Sequence, residues 1–178
     1  MKNILIMGMS PDRVEAYKNR EEYELILGLP WDGDWARFDV LFEMHDRKLW
    51  ERRGESYLER LRDAPQPIYM QQAWEDIPTS TGFTFLNKPQ AWYYNSSIAY
   101  MMAHAIMARP ARIDIAGVAL RDTEEYAYQR PNMEHLIGYA EGMGIKVEIL
   151  GDSCLKEFCP NILFLDELQT YKERYGYL

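Results

Sequence analysis

Cysteine is scarce in this sequence, which has only Cys154 and Cys159 among its 178 residues. Their C-x4-C spacing is accompanied by no further cysteine and no nearby histidine, so a zinc site is not expected. Long apolar runs are lacking too. None could span a bilayer, and the amino terminus carries no signal-like segment. These absences predict a protein of the reducing cytoplasm without a membrane partner.

Blocks of positive charge are also missing. The 20 Lys and Arg residues face 28 Asp and Glu residues, which gives a net charge of −8. No cluster of Lys or Arg forms the footprint that a phosphate backbone requires, so duplex nucleic acid is not expected as a partner. The chain also lacks a P-loop, a serine nucleophile elbow and a metalloprotease helix, the short motifs that mark those enzyme classes.

The sequence does contain an alternation of short apolar runs and amphipathic segments. The runs that predict strands are residues 2–7, 24–29, 38–42, 67–70, 83–86, 112–118 and 145–150. The segments that predict helices are residues 12–19, 47–62, 98–108, 132–143 and 164–175. This order predicts an α/β fold, in which a mostly parallel sheet is covered by helices on both faces.

The length of the chain predicts one Rossmann-like domain over residues 1–178. Residues 160–178 are expected to form a C-terminal packing helix, which could equally serve as the contact of a homo-oligomer. Residues 71–90 have no firm period and contain two prolines and a glycine. They predict a long loop, and loops of that length in compact domains tend to be functional.

Two early loops offer groups for an anionic ligand. Gly8 and Ser10 follow the first predicted strand, where backbone amides and a hydroxyl suit a phosphate or a sugar. A tight strand-to-helix turn would explain the same residues. Asp32 lies in an Asp-Gly-Asp stretch after the second strand, which matches the D-x-D pattern of glycosyltransferases that hold a metal and a diphosphate, although a chance match is the simpler explanation.

The stretch from residue 93 to residue 132 joins a polar turn, a helix, a strand and a polar loop. Ser96 and Ser97 precede an apolar-periodic segment, so their oxygens are placed to cap a helix whose start attracts anions. The helix is expected to end at Arg109-Pro110, and a buried strand follows. In open α/β sheets, ligands bind beyond the carboxyl ends of such strands.

The predicted loop at residues 121–130 is the densest polar cluster of the chain. Its candidate ligand and catalytic residues are Arg121, Glu125, Tyr126, Tyr128, Gln129 and Arg130. Tyrosine can stack on a base or sugar, and arginine can pair with phosphate or carboxylate. The alternative is that the glutamates and arginines pair with each other at the surface.

Three histidines are candidates for acid–base chemistry. His45 follows the third predicted strand, which places it at the presumed ligand edge as a binding or catalytic group. His104 lies two turns into the central helix and is expected to be a core or interface residue. His135 lies near the polar loop and is a weaker candidate.

Three segments together resemble the bacterial sialyltransferase-like proteins and the related 6-hydroxymethylpterin pyrophosphokinase-like family. They are the opening ILIMGMSP, the central NSSIAYMMAHAIMARPARIDIAGVAL and the late GIKVEILGDSCL. Small bacteriophage proteins with a Tyr-Gln-Arg-Pro-Asn signature look closer still. The resemblance implies a Rossmann-like fold. It also implies that Gly8, Ser10, Ser96 and Ser97 contact a nucleotide, and that Tyr126 and Tyr128 contact its phosphate or sugar.

The chain departs from the sialyltransferase pattern at two positions. Val118-Ala119 stands where that pattern has an aspartate, and residues 126–129 stand where it has a histidine. We therefore expect a nucleotide or nucleotide-sugar binding protein, a small phage-type enzyme similar to glycosyl- and phosphotransferases, in the host cytoplasm if phage-encoded. The alternatives are a non-catalytic protein that sequesters a nucleotide and a protein-interaction module.

If the chain is an enzyme, we expect positioning and charge stabilisation to dominate catalysis. Arg121 or Arg130 would then be the electrophilic partner of a phosphate leaving group, and His45 or Glu125 would be the base. No cofactor is predicted to be obligatory, and a divalent metal ion stays open as an addition.

Overall fold

The structure is a computed structural model. It describes residues 3–11, 13, 20–30, 35–83, 94–120 and 124–156. The side chains of residues 35, 124–127 and 156 lie outside this description. The predicted helices at residues 12–19 and 160–178, Asp32 with its D-x-D pattern, residues 84–90 of the predicted long loop, and Arg121 also lie outside it.

Seven strands form one sheet in the described part of the chain. They are β1 (Asn3–Met7), β2 (Tyr23–Gly28), β3 (Val40–Glu43), β4 (Ile68–Met70), β5 (Ser80–Gly82), β6 (Arg112–Ala116) and β7 (Lys146–Leu150). Their order in the sheet is β5-β4-β3-β2-β1-β6-β7, and every neighbouring pair is parallel. The predicted Rossmann-like α/β fold is therefore confirmed.

The order of the strands reverses at β1. The chain proceeds outward from β1 to β5 on one side and then crosses to β6 and β7 on the other. At such a switch point the loops that follow the two central strands separate, which opens a crevice at the carboxyl edge of the sheet. The loops after β1 and β6 therefore flank the crevice in which a ligand of this fold is expected.

Helices cover both faces of the sheet. They are α1 (Arg47–Glu51), α2 (Glu55–Asp63), α3 (Ser97–Ala108) and α4 (Glu124–Gly142). Because side chains alternate along a strand, Ile4 and Ile6 of β1 pack in the core under α3 and α4, while Leu5 and Met7 pack in the core under α1 and α2. Near-continuous apolar strands such as β1 follow from this double burial.

Helix α3 begins and ends as the sequence predicts. The Ser96 side chain accepts a hydrogen bond from the Ala99 amide and caps the first turn. Arg109 ends the helix in a left-handed conformation with φ of 50°, directly before Pro110. Most of the small and apolar residues from Ser97 to Ile106 are buried, whereas Met107 near the end of the helix is exposed.

The polar stretch before residue 132 is helical, which corrects its prediction as a loop. Helix α4 begins at Glu124 and continues through Pro131, although proline cannot donate to the carbonyl four positions earlier. Proline and the lack of an apolar stripe in residues 124–130 suggested a boundary at Asn132. Tertiary packing overrides both signals, because Gln129 and Asn132 are buried on the same helix.

One further boundary differs from the prediction. Residues 47–62 form two helices instead of one, because the chain turns at Gly54, whose φ of 97° is readily adopted only by glycine. Strand β5 at Ser80–Gly82 lies in the predicted long loop and pairs with β4 at the edge of the sheet. The predicted strand at residues 83–86 lies, apart from Phe83, outside the described residues.

Candidate functional site

A cleft of about 880 Å³ lies at the carboxyl edge of the sheet. Its walls come from the loops after β1, β2, β3 and β6 and from the start of α3. The lining residues are Gly8, Met9, Ser10, Leu29, Met44, His45, Leu49, Gln71, Tyr94, Asn95, Ser96, Ser97, Ile98, Tyr100, Gly117, Val118, Ala119, Leu120 and Gln129. A cleft of this size, whose walls combine apolar side chains with many polar groups, can hold a small molecule.

The loops after β1 and β6 are held against each other by backbone contacts. The Gly8 amide donates to the Ala116 carbonyl over 2.8 Å, and the Ser10 amide donates to the Gly117 carbonyl over 2.9 Å. A Cβ atom on Gly8 would lie 2.3 Å from the Gly117 oxygen, so only glycine fits there. The amides of Gly8 and Ser10, which were predicted to suit a phosphate, are therefore engaged within the fold, and the tight-turn explanation of this loop accounts for them.

The segment after β7 holds the loop after β6 through two hydrogen bonds. The buried Ser153 hydroxyl donates to the Val118 carbonyl over 2.5 Å, and the Cys154 amide donates to the Ala119 carbonyl over 2.9 Å. Leu120 then leaves the loop with φ of 49°, a conformation that is strained for leucine. The loop after β6 is thus fixed at both ends where it lines the cleft.

The start of α3 forms the opposite wall. The Ser96 hydroxyl oxygen accepts a hydrogen bond from the Ala99 amide and so caps the helix. Ser96 therefore has a structural role beside its predicted role in ligand binding. Ser97 is buried in the first turn, where the helix dipole favours negative charge. The Asn95 side chain donates to the Tyr128 carbonyl, which ties this wall to α4.

Two tyrosines stand beside the start of α3. The rings of Tyr94 and Tyr100 stack with centroids 4.7 Å apart and an angle of 28° between their planes. Burial raises the pKa of Tyr94, and the neighbouring Tyr100 raises it further, so the hydroxyl keeps its proton at neutral pH. The pair offers flat aromatic surface of the kind on which a base or sugar packs.

A buried carboxylate lies behind the cleft at the end of β3. Glu43 is 0% exposed, and its Oε1 accepts a hydrogen bond from His45 Nδ1 over 2.5 Å and from the His45 amide over 3.2 Å. Its Oε2 accepts from Arg53 Nη1 over 2.9 Å and from the Tyr57 hydroxyl. We refer to Glu43, His45, Arg53 and Tyr57 as the Glu43 cluster.

The protonation states of the Glu43 cluster follow from its contacts. Burial raises the pKa of Glu43, but the hydrogen bonds from His45 and Tyr57 and the charges of His45 and Arg53 outweigh it and hold the pKa below its ordinary value. Burial and the negative charge of Glu43 raise the pKa of the Tyr57 hydroxyl. At neutral pH the cluster therefore holds an ionised Glu43 and a protonated Tyr57.

The structure gathers six of the predicted site residues around the cleft, namely Gly8, Ser10, His45, Ser96, Ser97 and Gln129. Two others are not among the lining residues. The Tyr128 side chain is 74% exposed, and Arg130 pairs with Glu134 over 2.7 Å on the surface of α4. Asp32 and Arg121 lie outside the described residues, as do the side chains of Glu125 and Tyr126.

Sequence reasoning missed the residues that surround His45. Glu43, Arg53 and Tyr57 are brought together from β3, the α1–α2 turn and α2. A glutamate that ends an apolar strand two residues before a histidine was the available signal. Arg53 and Tyr57 had none, because their place depends on how α1 and α2 fold back on the sheet.

The other two histidines are placed differently. The His104 ring packs against Phe42, Tyr69 and Phe83, so it is a core residue as predicted, and burial lowers its pKa. His135 lies on an exposed part of α4. Only His45 among the three lines the cleft.

The described residues include no group of three or more His, Cys, Asp or Glu side chains that could hold a metal ion. No helix among them is long and apolar enough to cross a membrane. Comparisons of the chain with protein-family models, with curated proteins and with solved structures found no match.

Proposed function

We propose that this chain binds a nucleotide or a nucleotide-sugar in the cleft at the carboxyl edge of its sheet. The observation that carries the proposal is the position of the cleft at the switch point between β1 and β6, where the loops of both strands and the start of a 12-residue helix converge. Phosphorylated ligands of doubly wound sheets occupy this position because backbone amides and a helix start face it.

The walls of the cleft divide into two chemical halves. Ser10 and Ser97 lie where a phosphate group fits, beside the glycine loop and the start of α3. Tyr94 and Tyr100 lie where an aromatic base or a sugar fits. This division suits a ligand with one anionic part and one flat part, as a nucleotide or a nucleotide-sugar has.

The chemistry that we propose is group transfer, of the glycosyl or phosphoryl type that a resemblance to the sialyltransferase-like and pyrophosphokinase-like families implies. His45 would serve as the base, since it lines the cleft and is hydrogen-bonded to an ionised carboxylate. The roles predicted for Arg121, Arg130 and Glu125 stay predictions, because no contact of theirs with the cleft is described.

A protein that binds a nucleotide without transforming it is the second candidate. The observation that favours it is the apolar character of Val118 and Ala119, which line the cleft where the sialyltransferase-like pattern has an acid. Detection of a transferred or hydrolysed product would exclude this candidate.

A thermal-shift screen tests the proposal. Its probes are ATP, GTP, UDP-glucose and CMP-sialic acid, and a probe that binds only the folded state at a hundredfold excess over its Kd stabilises the protein by about 2.7 kcal/mol. For a chain of this length, each kcal/mol corresponds to about 2–4 °C in Tm. No rise with any probe would contradict the proposal.

Two variants show whether the cleft is responsible for a rise in Tm. Ser10→Leu removes a hydroxyl and adds an apolar side chain at the cleft, so it should abolish the stabilisation by the probe. Met107→Leu changes an exposed residue near the carboxyl end of α3 and should keep the full stabilisation. A Ser10→Leu protein that is stabilised as strongly as the wild type would place the ligand elsewhere.

A further inference from the structure

We infer that Glu43 is a positioning residue that holds the His45 imidazole in one tautomer, with the proton on Nδ1 and the lone pair on Nε2, in a residue that lines two cavities. This inference rests on the proposed function, because it specifies how a transfer reaction in the cleft would obtain its base. It is carried by the contacts of the Glu43 cluster and by the position of His45 between the cavities.

The tautomer of His45 follows from the protonation state of Glu43. An ionised carboxylate can only accept hydrogen bonds, so His45 Nδ1 must be the donor in their 2.5 Å contact. A neutral His45 that carries its proton on Nδ1 has its lone pair on Nε2. The carboxylate thereby fixes both the orientation of the ring and the nitrogen that carries the lone pair, as a carboxylate hydrogen-bonded to a metal-binding histidine does in metal sites.

The rest of the Glu43 cluster restricts the carboxylate in turn. Arg53 and the Tyr57 hydroxyl both donate to Oε2, which leaves Oε1 for His45. Glu43 is fully buried and the Arg53 side chain is only 14% exposed, so water competes little with these contacts. A base held in this way has little orientational freedom left to lose before the reaction, and this favours efficient proton transfer.

A second cavity of about 400 Å³ adjoins the first, and both His45 and Gln71 line the two. Trp74 lines the second cavity, and the Arg47 guanidinium lies 4.8 Å from the centre of its ring. Arg47 is also paired with Asp76 over 2.6 Å, so this wall is held in place. In a transfer reaction the acceptor hydroxyl must lie next to both the base and the donor, and the second cavity, which meets the first at His45 and Gln71, gives the acceptor a place.

The step that follows is proton abstraction from an acceptor hydroxyl. The Nε2 lone pair takes the hydroxyl proton, and the hydroxyl oxygen uses the electron pair of its O–H bond to bond to the transferred group. The bond from that group to the leaving phosphate breaks, and the phosphate oxygen keeps the electron pair. His45 becomes an imidazolium paired with Glu43, and it returns its proton to the leaving phosphate or to water.

The tautomer can be measured without any ligand, by long-range nitrogen–proton NMR of the imidazole nitrogens. The chain has three histidines, and His45→Asn identifies the signals of His45. We expect the Nδ1–H tautomer to exceed the Nε2–H tautomer by about tenfold or more, since hydrogen bonds to ionised groups are among the strong ones. A predominant Nε2–H tautomer in the wild type would overturn the inference.

Two variants separate positioning from general stabilisation. In Glu43→Gln, Arg53 and Tyr57 compete with His45 for a single amide oxygen, so the preference for Nδ1–H should be lost. Tyr57→Phe removes the hydroxyl that donates to Glu43 and accepts from Arg53 but keeps the carboxylate, so the preference should remain. Equal effects of both variants would reduce Glu43 to a structural residue. If Glu43→Gln does not fold, the wild-type spectrum alone decides.

The reactivity of Nε2 is measured with diethyl pyrocarbonate and mass spectrometry. Wild-type His45 should be acylated at Nε2, with the exposed His135 of the same chain as the reference. His45→Asn identifies the modified site. Acylation of His135 while His45 stays unmodified would overturn the inference. Neither measurement uses a nucleotide, so a failed thermal-shift screen and a failed tautomer measurement refute different statements.

Discussion

Two buried carboxylates of this protein have similar partners but different surroundings. Glu43, at the carboxyl edge of the sheet, accepts hydrogen bonds from a tyrosine, an arginine and His45. Asp114 of β6 is 1% exposed and accepts from the Tyr23 hydroxyl over 2.6 Å and from Arg112 over 2.8 Å. Only Glu43 is connected to a cleft, through His45.

The difference shows that burial and hydrogen bonds from a tyrosine and an arginine do not by themselves make a positioning carboxylate. Asp114 contacts Tyr23 and Arg112, the first residues of β2 and β6, and Arg112 also pairs with Glu22 at the surface. It therefore fastens the amino edge of the sheet. The contacts of Glu43 end instead at a histidine that lines two cavities. His45 is therefore the feature that makes Glu43, and not Asp114, part of the candidate site.

Removal of either carboxylate should have the largest effect on stability. Glu43→Ala and Asp114→Ala each leave buried donors without their acceptor, and breaking a buried ion pair in this way costs about 3–5 kcal/mol. Asp114→Ala should lie at the lower end, because the Arg112 side chain is 25% exposed and water can reach it. Urea unfolding measures both. A loss below about 1 kcal/mol for Glu43→Ala would contradict the description of the cluster as buried and mutually bonded.

The acid sensitivity of the fold should depend on Glu43. Its pKa in the folded protein lies below the ordinary value of 4.5, so the unfolded chain binds a proton more readily. The stability that this group contributes is therefore present above pH 4.5 and is lost as the pH falls from there through the folded pKa. Urea unfolding at a series of pH values should show the loss in the wild type and in Met107→Leu.

Glu43→Gln is the matched variant for this acid effect, because it keeps the shape of the side chain and cannot ionise. Its unfolding free energy should lack the part of the acid loss that belongs to Glu43. If the unfolding free energy of Glu43→Gln changed with pH in parallel with that of the wild type, the surroundings of Glu43 would not favour its ionised form.

The tyrosine hydroxyls should have smaller and similar effects at the two clusters. Burial raises the pKa of both Tyr57 and Tyr23, and the adjacent carboxylates raise each further, so both hydroxyls remain donors. Tyr57→Phe and Tyr23→Phe each remove one hydrogen bond to a carboxylate that keeps its arginine, which should cost about 1.5 kcal/mol. Urea unfolding of the pair measures the costs. A much larger loss for one variant would show that its cluster depends on the tyrosine more than on the arginine.

Much of the fold could be predicted from the sequence because its signals are local. The apolar runs of β1, β2 and β6 and the Ser96 cap of α3 each identify themselves within a few residues. The start of α4 could not be predicted. Pro131 and the polar residues before it favour a loop locally, and only packing against α3 and the sheet makes them helical.

The candidate site was predictable where local signals exist, above all at the strand ends and at the capped start of α3. Residues that directly follow a parallel strand, such as Ser10 and His45, must lie at the carboxyl edge of the sheet whatever the packing is. Tyr57 lies 14 residues from Glu43 along the chain, and nothing in the spacing joins the two. Their contact depends on the turn at Gly54, which the continuous amphipathic pattern of residues 47–62 concealed.

The ion pair between Arg112 and Glu22, the outermost contact near Asp114, should contribute least to the stability of the fold. Arg112 lies 3.2 Å from Glu22, but the Glu22 side chain is 49% exposed, so water and salt screen the pair. Glu22→Gln should cost about 0.5 kcal/mol or less in urea unfolding, as exposed pairs do. Glu55→Gln, which removes the exposed partner of Arg62, is the matched control and should behave alike. If Glu22→Gln instead cost nearly as much stability as Asp114→Ala, then Glu22, Arg112 and Asp114 would form one cooperative network. The contrast with the positioning residue Glu43 would then apply to that network and not to Asp114 alone.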